Sequence, residues 1–198
     1  MFALVESGSI IKFLNGNRGI TLGDNQYPRA IYTLWTEAER NAINIYTVTI
    51  DTSKRKDEKW YINTDITYSF DGTNATGSYG DATAKPHADA NATDDDGVDL
   101  DPVIVIEGLK TVLIRQVKAQ AEGELNRTDW YISRKAEKNT AIPSAITTHR
   151  DAVRSKQASM CTAITNASDT PALETLYAYT TNDSGVTSRP LGEIPTLE

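Results

Sequence analysis

Along the first eighty positions the apolar residues come in short runs separated by turn residues. Residues 2–5 and 10–14 are two such runs around Gly8 and predict a strand hairpin. Residues 15–28, with Asn15-Gly16-Asn17-Arg18-Gly19, Gly23-Asp24-Asn25 and Pro28, predict loop. Thr36-Glu37-Ala38-Glu39 predicts a helix start, with Thr36 as the cap and Glu39 as its capping-box partner. That helix should be short and end near Ile43. The run Asn44 to Ile50 then alternates, is rich in β-branched residues and predicts a strand. Lys54 to Lys59 predicts a charged turn. Residues 60–62 and 66–70 predict strands, Asp71-Gly72 a hairpin turn, and residues 75–79 the returning strand. Residues 1–80 therefore read as a small antiparallel β-rich module with one short helix.

The pattern changes at about residue 81. Residues 81–101 hold almost no large apolar side chain and include Asp94-Asp95-Asp96-Gly97, which predicts an acidic linker or exposed loop. From residue 102 the period becomes helical. Leu109, Leu113, Val117, Ala121 and Leu125 recur every four residues and predict a helix over roughly 102–126. Thr128 or Asp129 can cap a second helix running to about Asn139. Pro143 suits the first turn of a third, whose stripe is Ile146, Val153, Met160 and Ile164. Pro171 starts a short fourth helix carrying Leu173, Leu176 and Tyr177. Residues 102–180 thus form a helical hairpin or bundle, and 181–198, punctuated by Gly185, Pro190, Gly192 and Pro195, an extended tail. The class is α+β.

Composition narrows the function. A formal net charge of −7 on 198 residues repels phosphate and anionic lipid, so no nucleic-acid or membrane partner is expected. No run approaches the roughly 20 apolar residues of a membrane span. The start Met1-Phe2-Ala3-Leu4-Val5-Glu6 lacks the basic, then long apolar, character of a signal peptide. The single cysteine, Cys161, has no partner for an internal disulfide and reads as a small packed side chain.

A search for chemistry returns little. Aligned on Gly97, an EF-hand loop places Asp94 and Asp96 at its third and fifth positions. Its first and twelfth would be Ala92 and Val103, so the pattern fails at both ends. A solvated acidic linker explains the run better, and weak calcium binding stays open. His87 and His149 fall in different modules without zinc-ligand spacing. Cys161 and His149 lie twelve residues apart on one predicted helix, about 18 Å at the helical rise. There is no Gly-x-Ser-x-Gly elbow and no P-loop. No catalytic residue, metal or cofactor is expected.

The surplus is aromatic, with nine tyrosines and three tryptophans. Trp35, Trp60, Tyr61, Tyr68 and Tyr79 fall in the sheet module. Core and cross-strand packing is one reading, and a protein–protein surface the other.

One segment is distinctive. It runs from Leu125 through Asn126-Arg127-Thr128-Asp129-Trp130-Tyr131-Ile132-Ser133-Arg134-Lys135, then Thr140-Ala141-Ile142-Pro143, then His149-Arg150-Asp151-Ala152-Val153-Arg154. It resembles the C-terminal helical module of bacteriophage tail proteins, including tail-fibre assembly chaperones, over about residues 105–165. The local physics is structural. Trp130 is expected to plug the corner between two helices, with Tyr131 beside it. Arg134 and Arg150 are expected to pair with Glu122, Glu124 or Asp129.

The resemblance implies a non-enzymatic tail-associated structural protein: an adaptor, baseplate or fibre-attachment component, made in the host cytoplasm and carried in the virion tail. Its partners would be other tail or fibre proteins, within an oligomeric assembly. The alternative is a tail-fibre assembly chaperone absent from the virion. A tail-associated glycan-degrading enzyme has no motif in its favour. In this reading the aromatic sheet module docks on one partner, the helical module packs on itself or a second, and the acidic segment sets their separation.

Overall fold

A computed structural model describes residues 1–197. The chain divides into two compact units, the first Met1–Thr83 and the second beginning at Ala84. The first is β-rich and the second helical, an α+β protein.

In the first unit, β1 (Phe2–Glu6) and β2 (Ser9–Leu14) form the expected hairpin around Gly8, whose φ is +78°. A register shift between Leu4 and Val5 bends it. The loop expected over 15–28 contains a second small hairpin, β3 (Ile20–Leu22) with β4 (Asn25–Tyr27). One turn of helix, α1 (Ile31–Leu34), follows. Next comes α2 (Glu37–Asn41), which carries the full capping box: the Glu39 N–H donates to the Thr36 hydroxyl, and the Glu39 carboxylate accepts the Thr36 N–H at 2.8 Å.

Four more strands complete this part: β5 (Ile45–Asp51), β6 (Tyr61–Ile62), β7 (Ile66–Phe70) and β8 (Ala75–Tyr79). The main sheet has the order β2-β1-β5-β8-β7. The expected antiparallel arrangement holds except at one seam, since β5 and β8 run parallel. Parallel strands need a connection longer than a tight turn, and residues 52–74, which hold β6 and β7, supply it. The sheet curls until β2 lies against β7, with the rings of Phe13 and Tyr68 4.5 Å apart. One face packs Leu4, Leu14 and Ile45 under Ile31 and Tyr32 of α1. The other gathers Ala3, Val48 and Ala75 beneath Tyr46, Tyr68 and Phe70. Gly77 is needed there, because a Cβ would sit 2.8 Å from both Ile50 and Tyr68. The short strand β9 (Thr83–Ala84) falls where the first unit ends.

In the second unit the expected acidic linker is a folded hairpin. β10 (Ala90–Asn91) pairs with β11 (Val105–Ile106), and a bridge joins Thr93 to Asp99. The first long helix, α3 (Leu109–Asn126), therefore starts later than the helical period suggested. The β-branched run Val103–Ile106 takes extended structure instead. The hairpin base is sewn to α3: the Asp89 carboxylate accepts the Gly108 N–H at 2.7 Å and the Thr111 hydroxyl at 2.8 Å.

After α3 come α4 (Asp129–Lys138), α5 (Ser144–Asn166) and α6 (Thr170–Tyr177). Asn139, at φ +51°, ends α4, and the Asp169 carboxylate caps α6 just before Pro171. Pro143 stands at the cap position of α5, one residue before its expected place. Lys110 reaches the Thr165 carbonyl while His149 meets Glu124, so α3 and α5 lie antiparallel. Their shared core is the expected pair of stripes, Leu113, Val117 and Ala121 against Ile146, Val153, Met160 and Ile164, closed by Leu173. The tail expected to be extended makes a last hairpin, β12 (Thr180–Thr181) with β13 (Thr187–Ser188). It then returns Leu191 to the interior, where the Leu191 N–H donates to the Leu176 carbonyl.

Candidate interaction surfaces

The corner between α3 and α4 is built around Arg150. Its side chain is only 8% exposed, and it donates to the Leu125 carbonyl at 2.8 Å and the Thr128 hydroxyl at 2.6 Å. It also pairs with Asp129 at 2.8 Å, one of the three acids expected. Thr128 is buried, but its hydroxyl turns back to the Leu125 carbonyl at 3.0 Å and does not cap α4. The guanidinium thus ties the last turn of α3 to the first of α4 through hydrogen bonds strengthened by its charge.

Trp130 does not plug this corner. It is 51% exposed, and the corner is filled by Thr128 and Arg150 instead. The indole faces outward and stacks on Tyr131, ring centroids 3.7 Å apart and 30° from parallel. Arg134 lies over both rings, 4.8 Å from the Trp130 centroid and 5.2 Å from that of Tyr131. Among the described residues Arg134 has no carboxylate partner, contrary to expectation, and its Nε finds no acceptor. Ile132 is exposed beside them. Among its described residues α4 buries no side chain, whereas α3 buries four, α5 five and α6 two.

A second polar centre lies farther up the α3–α5 pair. Glu124 is buried and accepts from three groups: the Arg127 guanidinium, which reaches both oxygens at 2.9 and 3.0 Å, His149 at 3.0 Å, and the Leu197 N–H at 2.7 Å. The Leu197 N–H does most to hold its carboxyl below the ordinary value of 4.5, and the Arg127 side chain adds to it. The sequence offered Glu124 only as one of three acids for an arginine, and the His149 contact had no sequence signal.

The aromatics singled out in the first unit do not converge: Tyr79 ends β8, and the other four lie in separate places. Trp60 and Tyr61 are buried where the 52–60 loop enters β6, with Lys59 over the indole at 4.4 Å and Lys56 over the phenol at 4.3 Å. Trp35 sits edge-on to Tyr27, 5.9 Å between centroids, on the α1 side of the sheet. Tyr68 lies on the opposite face with Phe13. Packing explains these four positions. The first unit also has a hollow of about 540 Å³ floored by Phe13, Leu14, Ile20 and Tyr32 and edged by Lys12 and Arg18. Burial pushes the Tyr32 phenol up from its ordinary value.

One surface escaped the helical reading altogether. Val103 and Ile104, and Val105 and Ile106 of β11 that follow them, are each more than half exposed. A run of four β-branched residues between Pro102 and Gly108 was the available signal. Among the described residues no group of three or more His, Cys, Asp or Glu side chains is arranged to hold a metal ion, and no helix is long and apolar enough to cross a membrane. No protein-family model, no curated protein and no solved structure matches the chain.

Proposed function

We propose that this protein is a non-enzymatic structural component of a bacteriophage tail, an adaptor, baseplate or fibre-attachment part, and that α4 is its recognition surface. The observation that carries the reading is the uncovered state of α4. A ten-residue helix is too short to be stable alone in water, and most helical stability comes from covering an apolar face. Here Trp130, Tyr131 and Ile132 stand on a helix with no buried side chain, held at its first turn by Arg150. Trp, Tyr and Arg are the residue types that dominate binding energy at protein interfaces, and the stacked Trp130–Tyr131–Arg134 group presents all three. The resemblance of residues 105–165 to tail-protein helical modules supplies the kind of partner: another tail or fibre subunit.

Quantitative mass spectrometry of purified virions, with this chain measured against the major capsid protein, tests the assignment. A fixed copy number per particle is expected. Absence from particles, with abundant protein in the infected lysate, would move the assignment to a fibre-assembly chaperone. A photo-crosslinking residue at Ile132 should capture a tail protein in either case.

A further inference from the structure

Outside residues 86–109 the chain is electrically balanced, since 20 of its 27 acids stand against its 20 Lys and Arg. The whole net charge of −7 comes from the other seven, Glu107 and six aspartates between positions 89 and 101, on a stretch with no Lys or Arg. That stretch is the β10–β11 hairpin. Its returning arm is also the longest run of exposed aliphatic side chains among the described residues: Val103 59%, Ile104 53%, Val105 56% and Ile106 57% exposed. Strand alternation puts the two valines on one face and the two isoleucines on the other, so this arm is apolar and open on both.

The backbone of β11 has a free edge. The Ala92 N–H donates to the Ile104 carbonyl at 2.7 Å, and Ala90 pairs with Ile106. By antiparallel alternation the main-chain groups of Val103 and Val105 turn to the opposite edge, where no strand pairs among the described residues. Proteins usually blunt such an edge with lysine, proline or a cover. Here a single proline, Pro102, stands at the start of the run, the outward N–H groups of Val103 and Val105 beyond it are uncovered, and the nearest charges on either side are the carboxylates Asp101 and Glu107. The base of the hairpin is fixed by Asp89 on Gly108 and Thr111 and by the Glu107–Arg115 ion pair.

We propose that the outer edge of β11 and of the two residues before it, Val103 and Ile104, takes an extended segment of another protein, aliphatic and rich in Lys or Arg, as an added strand. Main-chain hydrogen bonds to Val103 and Val105 supply the pairing, the apolar faces supply burial, and the aspartates select the sign of the partner's charge. The same charge argues against a second copy of this chain, because edge-to-edge pairing would bring two sets of seven carboxylates together. The inference does not depend on the virion assignment, and it uses none of the residues of α4.

The test titrates the full chain into a fluorescein-labelled peptide of about eight alternating Lys and Val residues, the length of an ordinary strand, and follows anisotropy. An alternating Lys-Ser peptide carries the same charge without the apolar face. Binding of the Lys-Val peptide is expected, with the Lys-Ser peptide weaker by about tenfold or more. Val105→Pro removes an outward N–H and leaves the ladder to β10 intact, so it should weaken Lys-Val binding by a similar factor. Val103→Ser with Val105→Ser changes only exposed side chains and gives the same answer should the proline disturb the hairpin. Asp95→Asn with Asp96→Asn should flatten the salt dependence. Equal affinity for the two peptides, or unaltered binding by both valine variants, would reduce the surface to a simple polyanion and overturn strand addition. So would no binding of the Lys-Val peptide. Concentration-dependent dimerisation abolished by Val105→Pro would overturn the choice of partner in favour of a second copy.

Discussion

The Glu124 carboxylate and the His149 ring nitrogen lie 3.0 Å apart between α3 and α5, with both side chains 9% exposed. Because the same carboxylate accepts the Leu197 N–H and the Arg127 guanidinium, one residue joins two helices to the end of the described chain. Its folded-state pKa is depressed below 4.5, so the ionised form stabilises the fold. For a depressed carboxyl, the contribution is present above the unfolded value and is lost as pH falls through the folded one. The second unit should therefore lose stability as pH drops below about 4.5, its ordinary value. Glu124→Gln should flatten that acid limb while lowering stability at neutral pH by about 1–3 kcal/mol. Urea midpoints measured across the acid range check it, and parallel acid limbs for parent and variant would refute the linkage.

Arg150→Lys should behave nearly as badly as Arg150→Ala. A lysine ammonium cannot reach the Leu125 carbonyl, the Thr128 hydroxyl and Asp129 in the planar geometry a guanidinium offers. Each variant is expected to cost about 2 kcal/mol, mostly from losing the charged hydrogen bonds to the Leu125 carbonyl and the Thr128 hydroxyl. Because Asp129 is half exposed, Asp129→Asn should cost much less, about 0.5 kcal/mol. Equilibrium denaturation of the three variants decides the order.

Trp130→Ala should leave the thermal melt almost unchanged, within about 0.5 kcal/mol, as expected for an exposed side chain. The loss should appear in recognition instead, as failed capture of the proposed tail partner. A variant that unfolds the helical unit would restore the corner-plug role that the sequence suggested.

Gly108→Ala should be more damaging than its place at a helix start implies. The added Cβ would lie 2.3 Å from the backbone of Ala88, which has no flexible side chain to move aside. A destabilisation of about 1–3 kcal/mol is expected, together with loosening of the β10–β11 hairpin from α3. Hydrogen exchange at the Gly108 amide, which donates to Asp89, reports that loosening directly.

The elements with strong local signals were legible in the sequence. The Thr36–Glu39 capping box, the four-residue stripe of α3 and the heptad of α5 each follow from a period or a cap that needs no tertiary information. The parallel β5–β8 seam was not, because strand direction is set by the path of the connection and leaves no mark in either strand. Val103–Ile106 were misread as the start of a helix, since the stripe at Leu109 extends backwards by period alone. Trp130 misled for a different reason. Its size argues for burial, but a small threonine and a buried guanidinium already fill the corner.

The parallel seam also bears on how the first unit comes together. β1–β2 and β7–β8 are hairpins of neighbouring residues, which form within microseconds. β5 is bonded to β1 on one side and to β8 on the other, across long stretches of chain. It is the suture between two locally formed ribbons, and closure of the sheet waits on its slower, non-local pairing. Two-stranded ribbons are marginal in water, so a lesion in β5, such as Val48→Asp, dissolves the first unit more thoroughly than the same change on either outer strand.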